Sequence, residues 1–156
     1  QKLGDDPRAA YTYYKQDEIM NLDGMETKNF SGLPYLKKYV ELENALSSSM
    51  NADNNLILIR LADLYLLYAE IQLHKGNDNE ALTYINMIRQ RAGVSALSGG
   101  MSSSELMYAL KAERFIELCT EGTYWYDLIR WGEAADVLSS NGFIEGKHET
   151  LLIPKE

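Results

Sequence analysis

The sequence predicts a mainly helical protein: two packed helical hairpins preceded by an irregular, partly β segment. Three observations predict it. Residues 56–75, LILIRLADLYLLYAEIQLHK, carry apolar side chains on nearly every side of a helix, with Arg60, Asp63 and Glu70 gathered in one narrow sector. Beyond them, capping signals and apolar residues at helical spacing recur, and glycines close the helices. Ahead of them, β-favouring residues stand between turn signals. The chain therefore divides into a segment 1–55 and a helical region 56–156 of the same domain.

In order, Asp5-Asp6-Pro7 reads as a turn and 9–15, AAYTYYK, as a short strand. Residues 21–34 and 47–55 read as loops, and 35–42 as a second strand. The oily helix 56–75 should be packed on several sides, and its charged stripe needs partners, because an unpaired buried ion costs several kcal/mol. Arg89, Arg91, Arg114 and Arg130 are the arginines that could supply them. Gly76 is placed to cap its end. Asn77 and Glu80 have capping-box spacing for a second helix, whose apolar positions are Ala81, Ile85, Ile88 and Ala92. Ser102 and Glu105 repeat that spacing ahead of a third helix at 106–120. A fourth runs over 124–138, with Tyr124, Leu128, Trp131, Ala135 and Leu138 on one face. The first hairpin resembles a tetratricopeptide unit, with small residues at Ala69, Gly76 and Ala81.

Lys+Arg is 15 against Asp+Glu 23, a net charge of −8, which argues against nucleic acid or an anionic membrane as a partner. Charges interrupt the apolar run at 56–75, so it is not a membrane span. The lone Cys119 excludes an internal disulfide. His74 and His148 have no second ligand at metal spacing, and no metal or cofactor is expected. The Asn21–Gly24 stretch, NLDG, places Ile19 and Phe30 at the first and twelfth positions of a calcium loop, which excludes that reading. Gly99-Gly100 lacks the following Lys-Ser/Thr of a phosphate loop, and the serine runs lack a paired base.

Glu113, Glu117 and Glu121 are four apart, on one face of the third helix, with Asp127 beyond them. Paired carboxylates are what glycoside hydrolysis requires. The interleaved Arg114 and Arg130 favour ion pairs between helices instead. The tyrosines offer flat rings that stack on sugars. Tyr13, Tyr14 and Tyr35, in the irregular part, are the candidate ligand contacts, while those on helices serve the core.

Specific motifs carry a resemblance. Arg60–Glu70, RLADLYLLYAE, resembles the RLADVYLMYAEA segment of the SusD/RagB family. Asn86–Gly93, NMIRQRAG, is similar to its NxVRxRAG, and Glu113–Gly132 to its ERxxELxxEGxRWxDLxRWG. Asp6-Pro7-Arg8, Lys37-Lys38-Tyr39 and Leu151–Pro154 are similar to its DPR, KKY and LLPIP. The resemblance implies the C-terminal domain of a longer outer-membrane, cell-surface lipoprotein. Its lipid anchor would lie outside this chain. Such a protein binds oligosaccharides without cleaving them and works with a TonB-dependent SusC-like transporter. Arg60, Asp63, Arg89, Arg91, Glu113, Arg114, Glu117, Glu121, Asp127 and Arg130 would then form a structural ion-pair network. The alternatives are a helical protein–protein scaffold and a glycoside hydrolase built on Glu113 and Glu117.

Overall fold

The computed structural model describes residues 6–14, 35–39, 55 and 57–150. The expected loops at 21–34 and 47–54, and the expected ending at 151–154, lie outside them. The chain forms two compact units, Gln1–Thr120 and Glu121–Glu156. The mainly helical class expected from the sequence is the one observed.

The first unit begins with the expected turn, in which the Ala9 amide donates to the Asp6 carbonyl at 2.9 Å. The strand expected at 9–15 is replaced by a single helical turn, α1 (Ala9–Thr12), followed by a short strand, β1 (Tyr13–Tyr14). Two alanines directly after an Asp-Pro turn favour helix, and the Thr12 hydroxyl donates back to the Arg8 carbonyl at 2.8 Å. Strand β2 (Tyr35–Leu36) pairs antiparallel with β1, setting Tyr13 opposite Leu36 and Tyr14 opposite Tyr35. The amides of Lys37 and Lys38 both donate to the Thr12 carbonyl, at 2.9 and 3.4 Å, and so extend the pairing of the two segments.

Helix α2 (Leu61–His74) is shorter than the apolar run that predicts it. Arg60 is extended at its N-cap (φ −135°, ψ 161°), and Ile57, Leu58 and Ile59 precede it, exposed. No Ser, Thr, Asp or Asn stands at 56–60 to mark a start, so apolar periodicity overshoots the boundary. The helix closes as expected. Gly76 adopts φ 77°, the Asn77 amide donates to the Gln72 carbonyl at 2.9 Å, and the Gly76 amide donates to Leu73 at 3.0 Å. Because this left-handed geometry strains any residue with a Cβ, Gly76→Ala should cost about 1–2 kcal/mol; a thermal melt of the variant measures it.

Helix α3 (Asp78–Arg91) follows, but its expected capping box does not form. The Asn77 side chain donates to Gln72 Oε1 at 2.8 Å instead, and Glu80 accepts from the Tyr68 hydroxyl at 2.8 Å. That bond raises the Tyr68 hydroxyl pKa. The box at the third long helix, α4 (Ser103–Glu117), does form: Glu105 N–H donates to Ser102 Oγ, and the Ser102 amide to Glu105. The Ser102 amide and hydroxyl, both donating to Oε2, hold the Glu105 carboxyl below its ordinary pKa.

Helices α2, α3 and α4 pack on one another. Ala69 and Ala81 are fully buried where α2 meets α3, and Leu73, Ile85, Leu106 and Leu110 complete the cluster. The absence of a larger side chain lets the two backbones approach. Ala62, Leu66 and Ile88 form a second cluster toward the start of α2. Only part of α2 is covered in this way. Leu61, Leu64 and Ile71 are half or more exposed, and Ala62, Leu66, Ala69 and Leu73 share one face, so the packing on several sides expected of this helix is not met among the described residues.

In the second unit, the helix expected at 124–138 is two helices, α5 (Thr123–Trp131) and α6 (Ala134–Leu138), followed by a 3₁₀ turn at Ser139–Asn141. Gly132 breaks it at φ 70°, with the Glu133 amide closing onto the Leu128 carbonyl. The break re-phases the chain, and Ala134 is buried where the continuous helix would have buried Ala135.

Candidate functional site

The charged side chains gather at the carboxyl end of α4. The third helix ends at Glu117, three residues before the expected end, and Thr120 then turns left-handed at φ 72°. Glu121 therefore lies beyond the helix, within the second unit, and not on a shared face with Glu113 and Glu117. Those two remain, one turn apart, with exposures of 1% and 3%.

Neither carboxylate faces open water. Glu113 Oε1 accepts from Arg8 Nη1 at 2.6 Å, and its Oε2 accepts from Arg89 Nη1 at 2.8 Å. Glu117 Oε2 accepts from the same Arg8 nitrogen at 2.9 Å. Its Oε1 accepts from Arg60 at 2.6 Å and from Arg91. Arg8 also forks onto Asp6, with Nε to Oδ1 and Nη2 to Oδ2 both at 2.8 Å. One guanidinium thus joins three carboxylates. Burial alone would favour its neutral form, but Asp6, Glu113 and Glu117 outweigh that and raise its pKa. In turn the Arg8 guanidinium holds the Asp6 carboxyl below the ordinary carboxylate range, against the opposing effect of burial.

Carbonyl oxygens at the helix end are capped by cations as well. Lys38 Nζ donates to the Glu117 and Cys119 carbonyls at 2.9 and 3.4 Å, and Arg60 Nη2 to Glu117 at 2.7 Å. Positive charge there complements the helix dipole. Nearby on α4, Arg114 Nη1 donates to Asp63 on α2 at 2.8 Å. Helix α3 holds the loop that follows it: Arg89 Nε donates to the Ser95 carbonyl at 2.9 Å, and Asn86 exchanges two hydrogen bonds with the Leu97 backbone. In the second unit, Arg130 pairs with Asp127 one turn away on α5, at 2.9 Å, and stacks over Trp131.

Between α2 and α3 lies an open groove of about 280 Å³, lined by Leu61, Ala62, Tyr65, Met87 and Ile88 with Arg60 and Arg91 among its walls. Among the described residues, no group of three or more His, Cys, Asp or Glu is placed to hold a metal, and no helix is long and apolar enough to cross a membrane.

This geometry can now be set beside known proteins. The family model described as the SusD family matches residues 9–149. The chain belongs to the SusD family. It is 36% identical over 108 residues to SusD-like protein P25 of Formosa agariphila, covering 67% of this chain and 20% of that one. It is 29% identical over 148 residues to SusD-like protein P38 of the same organism, covering 89% and 28%. Among solved structures, a SusD-like protein from Bacteroides fragilis superposes with a TM-score of 0.59 at 31% identity, over 66% of this chain and 20% of that one. A SusD superfamily protein from Bacteroides vulgatus superposes with a TM-score of 0.51 at 37% identity, over 53% and 18%. The chain thus spans between a fifth and just over a quarter of these two curated relatives.

The SusD motifs now have definite places. Arg60, Arg91 and Glu117 meet at one point, Arg89 meets Glu113, and Asp63 meets Arg114. Arginines 89 and 91, expected to serve the stripe of the oily helix, serve α4 instead. Asp6, Arg8 and Lys38 belong to the cluster although their charges drew no attention in sequence. The only sign of them was their place in the DPR and KKY motifs, and 105 residues separate Arg8 from Glu113. Of the candidate ligand contacts, Tyr13 is half-buried and Tyr14 is 8% exposed, with the Lys37 ammonium 5.1 Å from its ring. Tyr35 pairs with Tyr14 in the ladder.

Proposed function

We propose that this chain is the C-terminal part of a longer SusD-family lipoprotein on the outer face of the outer membrane. It would bind oligosaccharides without cleaving them and deliver them to a TonB-dependent SusC-like transporter. The observation that carries the non-catalytic reading is the state of Glu113 and Glu117. A glycosidase needs one carboxyl protonated and both within reach of a sugar. Here both are buried, and their oxygens are taken up by guanidiniums, Glu113 by Arg8 and Arg89 and Glu117 by Arg8, Arg60 and Arg91, so neither is open to a sugar. The charged motif residues are, on this reading, structural. Tyr13, Tyr14 and Tyr35 are the proposed ligand-side residues, and Tyr13 is the one whose partly open ring favours direct contact.

Calorimetric titration of the full-length protein with a panel of neutral and acidic oligosaccharides tests this. We expect binding with no product formed, and for Tyr13→Ala an affinity lowered about tenfold, in line with a stacking contact of about 1–2 kcal/mol. Turnover that Glu117→Gln abolishes would remove the binding-protein reading. A second reading, a helical scaffold without sugar affinity, is favoured by the exposed apolar strip of Leu61, Leu64 and Ile71 on α2. On that reading the panel gives no heat with any sugar.

A further inference from the structure

Two short segments far apart in sequence, 6–14 and 35–39, meet as the tyrosine ladder. Each sends one cation to the same place on the helical scaffold. Arg8 reaches the Glu113 and Glu117 carboxylates at 2.6 and 2.9 Å. Lys38 reaches the Glu117 and Cys119 carbonyls at 2.9 and 3.4 Å. Among the described residues the ladder has two strands and two residue pairs, and an isolated two-stranded sheet is marginal in water without outside support.

We infer that the carboxyl end of α4 is a two-cation clamp, and that Arg8 and Lys38 are positioning residues for the ladder that carries Tyr13, Tyr14 and Tyr35. The two bonds are of different kinds. Arg8 is partly buried and joins three carboxylates, so its loss disturbs the helices as well. Lys38 is half-buried and meets backbone carbonyls, so its charge can be removed while the carboxylates keep their arginines. The clamp depends on the proposed function only for what the ladder is for. Its test needs no ligand.

Amide hydrogen exchange on the whole chain, read by segment, tests it with Lys38→Met and Lys38→Arg. In Lys38→Met, amides of 9–14 and 35–39 should exchange about tenfold faster, while those of α2 and α3 stay within about twofold of the parent. Lys38→Arg, which keeps the charge, should restore most of the protection. Ladder amides unchanged in Lys38→Met would overturn the clamp. So would an equal acceleration in α2 and α3, which would make Lys38 a general stabiliser, or an arginine variant as fast as the methionine one. Loss of ladder protection together with an unaltered sugar affinity in Tyr13→Ala would leave the clamp standing and remove the ligand role.

Discussion

Replacing Arg8 by alanine is expected to lower the unfolding free energy by about 3–5 kcal/mol, the cost of leaving a buried charge without its partner. Asp6 suffers most, since its side chain is fully buried and the Arg8 fork is what holds its charge there. Glu113 keeps Arg89, and Glu117 keeps Arg60 and Arg91. The effect has a definite pH dependence. In the parent, Arg8 depresses the Asp6 pKa. Asp6 therefore adds stability above its unfolded value of about 3.9, and that stability is lost as the pH falls through the lower, folded pKa. The variant lacks the guanidinium that depresses it most and keeps only the residue-8 amide and Arg89, so most of this contribution is lost. The gap between parent and variant should be widest near neutral pH and narrow as the pH drops below about 4. Urea unfolding of both proteins at several pH values measures it.

The second large effect is at Glu113. With 1% of its side chain exposed, Glu113 lies between Arg8 and Arg89. Alanine there takes a carboxylate from both guanidiniums, leaving Arg8 with Asp6 and Glu117 and Arg89 with the Ser95 carbonyl, and arginine does not lose its proton to escape. Glu113→Ala should cost about 3–5 kcal/mol. Glu113→Gln keeps an acceptor of the same shape and should cost less, about 1–3 kcal/mol. Urea unfolding of the two variants separates loss of charge from loss of the side chain.

What could be read from the sequence follows range. The helices of 61–117 were legible because their signals are local: apolar residues three and four apart, the Ser102–Glu105 box and the glycine after α2. Boundaries were less so. The chain at 57–60 is as apolar as the helix that follows, and nothing in the pattern shows that it stays extended. At the other end, four-residue spacing suggested that Glu121 continues the face of Glu113 and Glu117. A left-handed Thr120, which few side chains tolerate, stops it. That the motif acids and arginines would pair was legible from their interleaving. Their partners were not, because pairing between helices across 24 to 57 residues is decided by how the helices cross. Arg8 escaped notice for the same reason. Beside a DPR turn it looks like a surface charge, and it becomes the centre of the cluster only once its side chain reaches Glu113 and Glu117 on α4.

The central claim is that these charges hold the fold together as a coupled set. A double-mutant cycle on Arg8→Ala and Glu113→Ala, read by urea unfolding near neutral pH, tests it most directly. The account predicts that the double variant loses less stability than the two single losses added, with a coupling above about 1 kcal/mol. Losses that add within about 0.5 kcal/mol, or single variants as stable as the parent, would contradict it.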